Sequence, residues 1–260
     1  MELTIYQIDA FTHERFKGNP AAVVPLERWL PDDVLQNIAQ ENNLSETAFF
    51  VPDGEGFNLR WLTPTVEVNL CGHATVATAH VLFEHLDYKK SKIEFQSRSG
   101  LLTVEKRGSQ YVLDFPTDTL IPVKSVLEIA EGLGALPKEI LKGREDWVAV
   151  FETQEQIEGL KPDFRKIAEA GGRGLLATAP GREVDFVSRC FFPQSGVDED
   201  PVTGSAHTTL TPYWAKRLGK NELTARQLSS RGGQLHLKLL GNRTEIGGGA
   251  VTYMIGKIYL

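Results

Sequence analysis

Phe57-Asn58-Leu59-Arg60-Trp61-Leu62-Thr63-Pro64 returns later in the chain as Phe186-Val187-Ser188-Arg189-Cys190-Phe191-Phe192-Pro193, with Phe, Arg and Pro in register 129 positions apart (Arg60 to Arg189). Each copy is a short apolar and aromatic run closed by Pro, the pattern of a strand leaving a sheet. Two further matches follow in the same order. Gly72-His73-Ala74-Thr75 lines up with Gly204-Ser205-Ala206-His207 at an offset of 132 (Gly72 to Gly204), and Ser97-Arg98-Ser99-Gly100 with Ser230-Arg231-Gly232-Gly233 at 133 (Gly100 to Gly233). Ordered matches at nearly constant spacing read as two homologous halves.

Working outward, each half contains strands, a turn, a helix beginning at the glycine and a return hairpin. Gly72 to Leu86 is apolar almost all round, as expected of a helix enclosed by sheet. Gly204 to Leu218 is similar but carries Pro212, which predicts a kink or interruption. Lys92–Gln96, Leu101–Glu105 and Tyr111–Phe115 alternate with period two between glycine turns and read as a β-meander. Together these elements predict an α+β architecture. The junction is expected near Pro116–Pro122, giving halves of 1–117 plus 248–260 and 118–247. Gly247-Gly248-Gly249 lacks the Gly-Lys-Ser/Thr and following helix of a phosphate loop, so it reads as a turn before a last strand at 250–255.

Composition narrows the function classes. The 260 residues are 41% hydrophobic and carry a net charge of −6, from 28 Lys and Arg against 34 Asp and Glu, without a basic cluster. No nucleic-acid partner is expected of such a chain. No apolar stretch approaches the roughly 18–20 residues that span a bilayer, and the first residues do not read as a secretory signal, so no membrane partner is expected either. Two cysteines, Cys71 and Cys190, form no disulfide framework and suit a reducing, cytoplasmic setting.

Chemistry is sought where the halves differ. Gly72 and Gly204 open helices whose unpaired amides can bind a carboxylate or enolate. His73 stands where the second copy has Ser205, and Asp198-Glu199-Asp200 precedes the second helix. Extending the offset of 129 upstream sets Glu46 opposite Leu175, which predicts a partly desolvated carboxyl with a raised pKa. Glu46, His73 and Asp200 read together as a general acid–base constellation expected to converge on one cleft between the halves. A Cys71–His73 thiolate pair is the less favoured alternative. His73 and His80 lack a third ligand, so no metal is expected, and Ser205 does not sit in a nucleophile elbow.

Tyr6-Gln7-Ile8-Asp9-Ala10-Phe11-Thr12, Gly18-Asn19-Pro20-Ala21, Ser45-Glu46-Thr47-Ala48-Phe49, Leu70-Cys71-Gly72-His73-Ala74-Thr75 and Glu199-Asp200-Pro201-Val202-Thr203-Gly204-Ser205-Ala206-His207 together resemble the phenazine biosynthesis PhzF-like isomerase family. The resemblance implies a diaminopimelate epimerase-like fold, two pseudosymmetric halves each a β-barrel-like sheet around a central helix. It also implies a cofactor-independent site between the halves, in a homodimer. The family's acid–base glutamate falls on Glu46, its histidine on His73, its aspartate on Asp200 and its serine on Ser205, with Gly72 and Gly204 as the helix-mouth glycines. Related epimerases have a cysteine before each helix-start glycine; here the two positions hold Cys71 and Thr203. The implied activity is therefore a one-carboxylate proton shift on a small carboxylic acid. An amino-acid racemase using Cys71 and a non-catalytic small-molecule binder are the alternatives. The segment from Ile121 to about Gly174 offers no residue assignable to substrate.

Overall fold

The computed structural model describes residues 1–124 and 127–260. The chain divides into two compact units, Met1–Asp114 with Gly247–Leu260, and Phe115–Ile246.

In the first unit, strand Glu2–Ala10 lies between Ala250–Tyr259 and Asn19–Pro25, antiparallel to both. Asn19–Pro25 runs parallel to Thr47–Asp53, which forms an antiparallel hairpin with Gly56–Leu62. Gly56–Leu62 then pairs in parallel with Lys92–Ser97, and the predicted meander follows through Gly100–Arg107 and the strand beginning at Gln110. Helix Gly72–Glu84 packs against this sheet, and every residue from His73 to Leu82 is buried. Its near-uniform apolar surface is the sequence condition for that enclosure.

The second unit repeats the order. Trp147–Val150 is parallel to Leu175–Pro180, which is antiparallel to Phe186–Phe192; that strand pairs in parallel with Glu222–Gln227, and Gly233–Leu240 follows antiparallel. Helix Gly204–Leu218 buries Ala206, His207, Leu210 and Trp214. Trp214 is fully buried, stacks on Phe186 with centroids 5.6 Å apart and an interplanar angle of 7°, and donates from Nε1 to Thr178 Oγ1 at 3.0 Å.

The repeated arginine has one task in both units. Arg60 grips Glu67 through Nε (2.9 Å) and Nη2 (2.6 Å), and Arg189 grips Glu199 through Nε (2.8 Å) and Nη2 (2.9 Å). Glu67 and Glu199 are 132 apart, the offset of the helix glycines, so Glu199 has a counterpart in the first unit whereas Asp200 corresponds to Val68.

Two details correct the sequence reading and a third adds to it. Helix Gly204–Leu218 is not interrupted at Pro212. Proline removes the donor that would have served the carbonyl of Thr208 four residues earlier, and the Asp118 amide donates to that carbonyl instead, at 3.3 Å. Gly248 and Gly249 serve close packing: a Cβ would come within 2.4 Å of the Phe11 ring at the first and 2.3 Å of the His13 ring at the second. Finally, the counterpart of Glu46 is Gly174, one residue before Leu175. Thr47 faces Leu62 and Leu175 faces Phe191, while the Glu46 carbonyl accepts from Ala22 as the Gly174 carbonyl accepts from Trp147. The second hairpin loop is one residue longer, Pro180↔Phe186 against Pro52↔Phe57, so an offset fixed on one strand slips on its partner.

Candidate active site

The first unit brings three of the singled-out residues together. Glu46 lies directly before strand Thr47–Asp53, Cys71 directly before helix Gly72–Glu84, and His73 in that helix's first turn. Glu46 Oε2 is 3.2 Å from His73 Nε2, with the side chains 18% and 7% exposed, and the Cys71 Sγ is 3.5 Å from His73 Nδ1. Cys71 makes no side-chain cap to the helix, although its carbonyl accepts from the Thr75 amide at 3.2 Å. Glu46 Oε2 and His73 Nε2 are buried atoms that face each other without a well-angled hydrogen bond.

The electrostatics of this row differ from the raised carboxyl pKa expected from sequence. Burial pushes the Glu46 carboxyl up, but the charge and hydrogen bond of His73 and the hydrogen bond of Cys71 together outweigh it and hold the carboxyl below its ordinary value. Burial pushes His73 down, yet the Cys71 and Glu46 groups beside it carry it well above its ordinary value. Burial, then the Glu46 charge, lifts the Cys71 thiol to about 11, so at neutral pH it is protonated and Glu46 is the anion that matters. The row thus sets a thiol pushed up, an imidazole held up and a carboxyl held down side by side. It holds a base beside an acid one hydrogen-bond length away, the arrangement needed to take a proton from one atom and return it to another.

The linkage has a definite sign. A depressed carboxyl stabilises the fold above its unfolded value near 4.5 and ceases to as pH falls through its lowered folded value. A raised histidine stabilises fully below its unfolded value near 6.5 and ceases to as pH rises through its folded value. The pair therefore stabilises most between about pH 4.5 and 6.5. Melting temperatures across pH should show that maximum in the wild type, and His73→Asn should flatten it; an unchanged profile would remove the ion pair.

Glu46, Cys71 and His73 also place one ligand atom each within 4.8 Å of one another. However, the thiol faces Nδ1 and the carboxylate faces Nε2. One ion can take only one of those nitrogens, whose lone pairs diverge, so the thiol and the carboxylate address opposite sides of the ring.

In the second unit Asp200 ends strand Val197–Asp200, and Gly204 and Ser205 open helix Gly204–Leu218. Thr203 Oγ1 donates to Asp200 Oδ2, and Gln227 ties the turn by donating to the Asp200 carbonyl (2.6 Å) and accepting from the Thr203 amide (2.9 Å). Ser205 Oγ accepts from Arg173 Nη2 at 3.2 Å, and Arg173 is itself held by Asp146 through Nε (2.9 Å) and Nη2. Neither Arg173 nor Asp146 was singled out by sequence. The available signal was positional: Arg173 immediately precedes the residue that matches Glu46.

Residues 8–256 match the sequence model of the phenazine biosynthesis-like (PhzC-PhzF) family. The chain is 49% identical over 260 residues to an uncharacterized isomerase of Pseudomonas aeruginosa, covering 100% of both. It superposes on the crystal structure of a phenazine biosynthesis PhzF family protein of Enterococcus faecalis with a TM-score of 0.98 at 48% identity, covering 100% of both chains. A hydroxyproline epimerase from Agrobacterium vitis is similar at a TM-score of 0.62 and 11% identity, over 99% of this chain and 92% of that one, a likeness of fold alone. The predicted α+β, epimerase-like fold is what these likenesses and the two repeated units display. Among the described residues, no helix is long and apolar enough to cross a membrane.

Proposed function

We propose, since the chain belongs to the phenazine biosynthesis-like PhzC-PhzF family, that it is an isomerase that moves a proton within a small carboxylic acid without a cofactor. Isomerase homologues and an epimerase-like fold support the isomerase. The observation that carries the finer reading is the Glu46–His73 contact of 3.2 Å, a carboxyl group and an imidazole buried side by side. Glu46 takes the proton from carbon, and His73 supplies or stores the balancing proton. Asp200 assists, while the amides at Gly72 and Gly204 and the Ser205 hydroxyl hold substrate oxygens. Positioned proton transfer contributes about 10²–10⁴-fold and oriented donors on a developing oxyanion a comparable amount, so the reacting C–H must already be acidified by an adjacent unsaturated or carbonyl group. The homodimer and the cytoplasmic setting implied by the resemblance belong to this proposal as well.

The test is a thermal-shift screen of small unsaturated and oxo acids followed by proton NMR in D₂O. Deuterium entering a stabilising acid supports the isomerase. Stabilisation without exchange in any member of the screen would instead favour a binding protein.

The racemase alternative needs Cys71 as a base. A buried thiol lifted to about 11 and aimed at a histidine is poorly suited to that task. Cys71→Ala is therefore expected to retain exchange within about tenfold of wild type, since positioning alone is lost. A fall of a thousandfold or more would return the thiol to the centre of the mechanism.

A further inference from the structure

Ser205 can enter a hydrogen bond as donor or acceptor, and its neighbour decides which. A guanidinium carries five N–H donors and no acceptor. In the 3.2 Å contact with Arg173 Nη2, the Ser205 oxygen therefore accepts, which leaves its one proton to be given elsewhere. Arg173 is not free to turn away. Asp146, 2% exposed, binds it through both Nε and Nη2, and its plane lies over the Phe192 ring at 5.3 Å. Ser205 is the second residue of a fifteen-residue helix whose N-cap, Thr203, makes no side-chain cap, so the amides beside the hydroxyl are donors too.

We propose that Arg173, locked by Asp146, is a positioning residue that fixes the Ser205 hydroxyl as a hydrogen-bond donor, so that the second unit selects a carboxylate over its neutral isosteres. The inference rests on the reading of Ser205 as a substrate-holding residue. Charge is not its basis, because Asp146 alone offsets the guanidinium and Glu145, at 3.4 Å, adds a further negative group. The direction of the hydroxyl proton is. Without Arg173 the hydroxyl is free to rotate and spend its proton on a local acceptor, as the neighbouring Thr208 hydroxyl does on the Ser205 carbonyl at 2.8 Å. A lysine in place of Arg173 keeps the charge but presents no planar fork to serve Asp146 and Ser205 together.

Acetate, the simplest carboxylate, is the probe, with acetamide as its neutral isostere, titrated into the full ¹⁵N-labelled chain. The Gly204 and Ser205 amide resonances should shift saturably with acetate and little with acetamide. Arg173→Met and Ser205→Ala should each weaken acetate about tenfold, the usual worth of a hydrogen bond to a charged group. The double variant should be no weaker than either single one, because Arg173 acts through Ser205. Arg173→Lys, which keeps the stem and charge, should weaken acetate as the methionine does, and serves as the readout if Arg173→Met does not fold. Additive losses, unchanged affinity in Arg173→Lys, or the absence of a saturable acetate shift at Gly204 and Ser205 would each overturn the proposal. Failure of the isomerase reading looks different: acetate still binds as described, but no acid exchanges deuterium.

Discussion

Glu46→Gln is expected to lower deuterium exchange into a substrate acid by about 10²–10⁴-fold, the full worth of a positioned proton carrier. The amide keeps the length of the side chain and a hydrogen-bonding oxygen for His73, so the melting temperature should move by only a few degrees. The electrostatic consequence is larger. The Cys71 and Glu46 groups together lift His73 above its ordinary value. Without Glu46 the imidazole loses part of that lift while burial still pushes it down, so the pH at which His73 becomes neutral moves lower. Any residual exchange should therefore have a pH profile whose basic limb has moved to lower pH. The rate is read by proton NMR in D₂O and the profile by repeating it across pH. An exchange rate near that of the wild type would take Glu46 out of the reaction, and an unmoved profile would dissolve its coupling to His73.

Trp214→Ala is expected to cost about 3–5 kcal/mol of stability, the usual range for removing a buried tryptophan. Trp214 sits in helix Gly204–Leu218, fully buried, stacked on Phe186 and hydrogen-bonded to Thr178. Thr178 keeps its bond to the Val187 carbonyl at 2.7 Å, so the loss is chiefly packing. Trp214→Phe retains the stack and forfeits the bond and part of the volume, and should cost about 1–2 kcal/mol. Urea unfolding of the full chain separates these figures. Equal midpoints for Trp214→Ala and wild type would remove this cluster from the core.

Much of this was legible in the sequence because it is local or periodic. The repeated Phe-x-x-Arg run marked the paired strands, and the apolar surface of Gly72–Leu86 marked the enclosed helix. Glu46, His73 and Asp200 stand out where the halves differ, whereas Cys71 enters only through the less favoured pair with His73. What escaped is set by long-range geometry. A single residue added to the Pro180–Phe186 connection shifted the counterpart of Glu46 from Leu175 to Gly174, and no count of offsets along one strand could register it. Pro212 read as a break because the compensating donor, the Asp118 amide, lies far upstream. The direction of the Glu46 pKa failed for the same reason: burial was foreseeable from an apolar setting, whereas the imidazolium that outweighs it is a partner brought in by the fold.

The position opposite Glu46 in the repeat also bears on the history open to this chain. A Cβ at Gly174 would lie 2.1 Å from the Phe192 ring and 2.7 Å from the Phe191 carbonyl. Placing a carboxylate there by one substitution would drive it into a ring that also underlies Arg173. A side chain at Gly174 therefore needs a second change at Phe192, so under the proposed one-carboxylate reading a symmetrical site lies at least two substitutions away. The two units share strands and helices, but packing around Gly174 closes to the second unit the side-chain position that Glu46 occupies in the first.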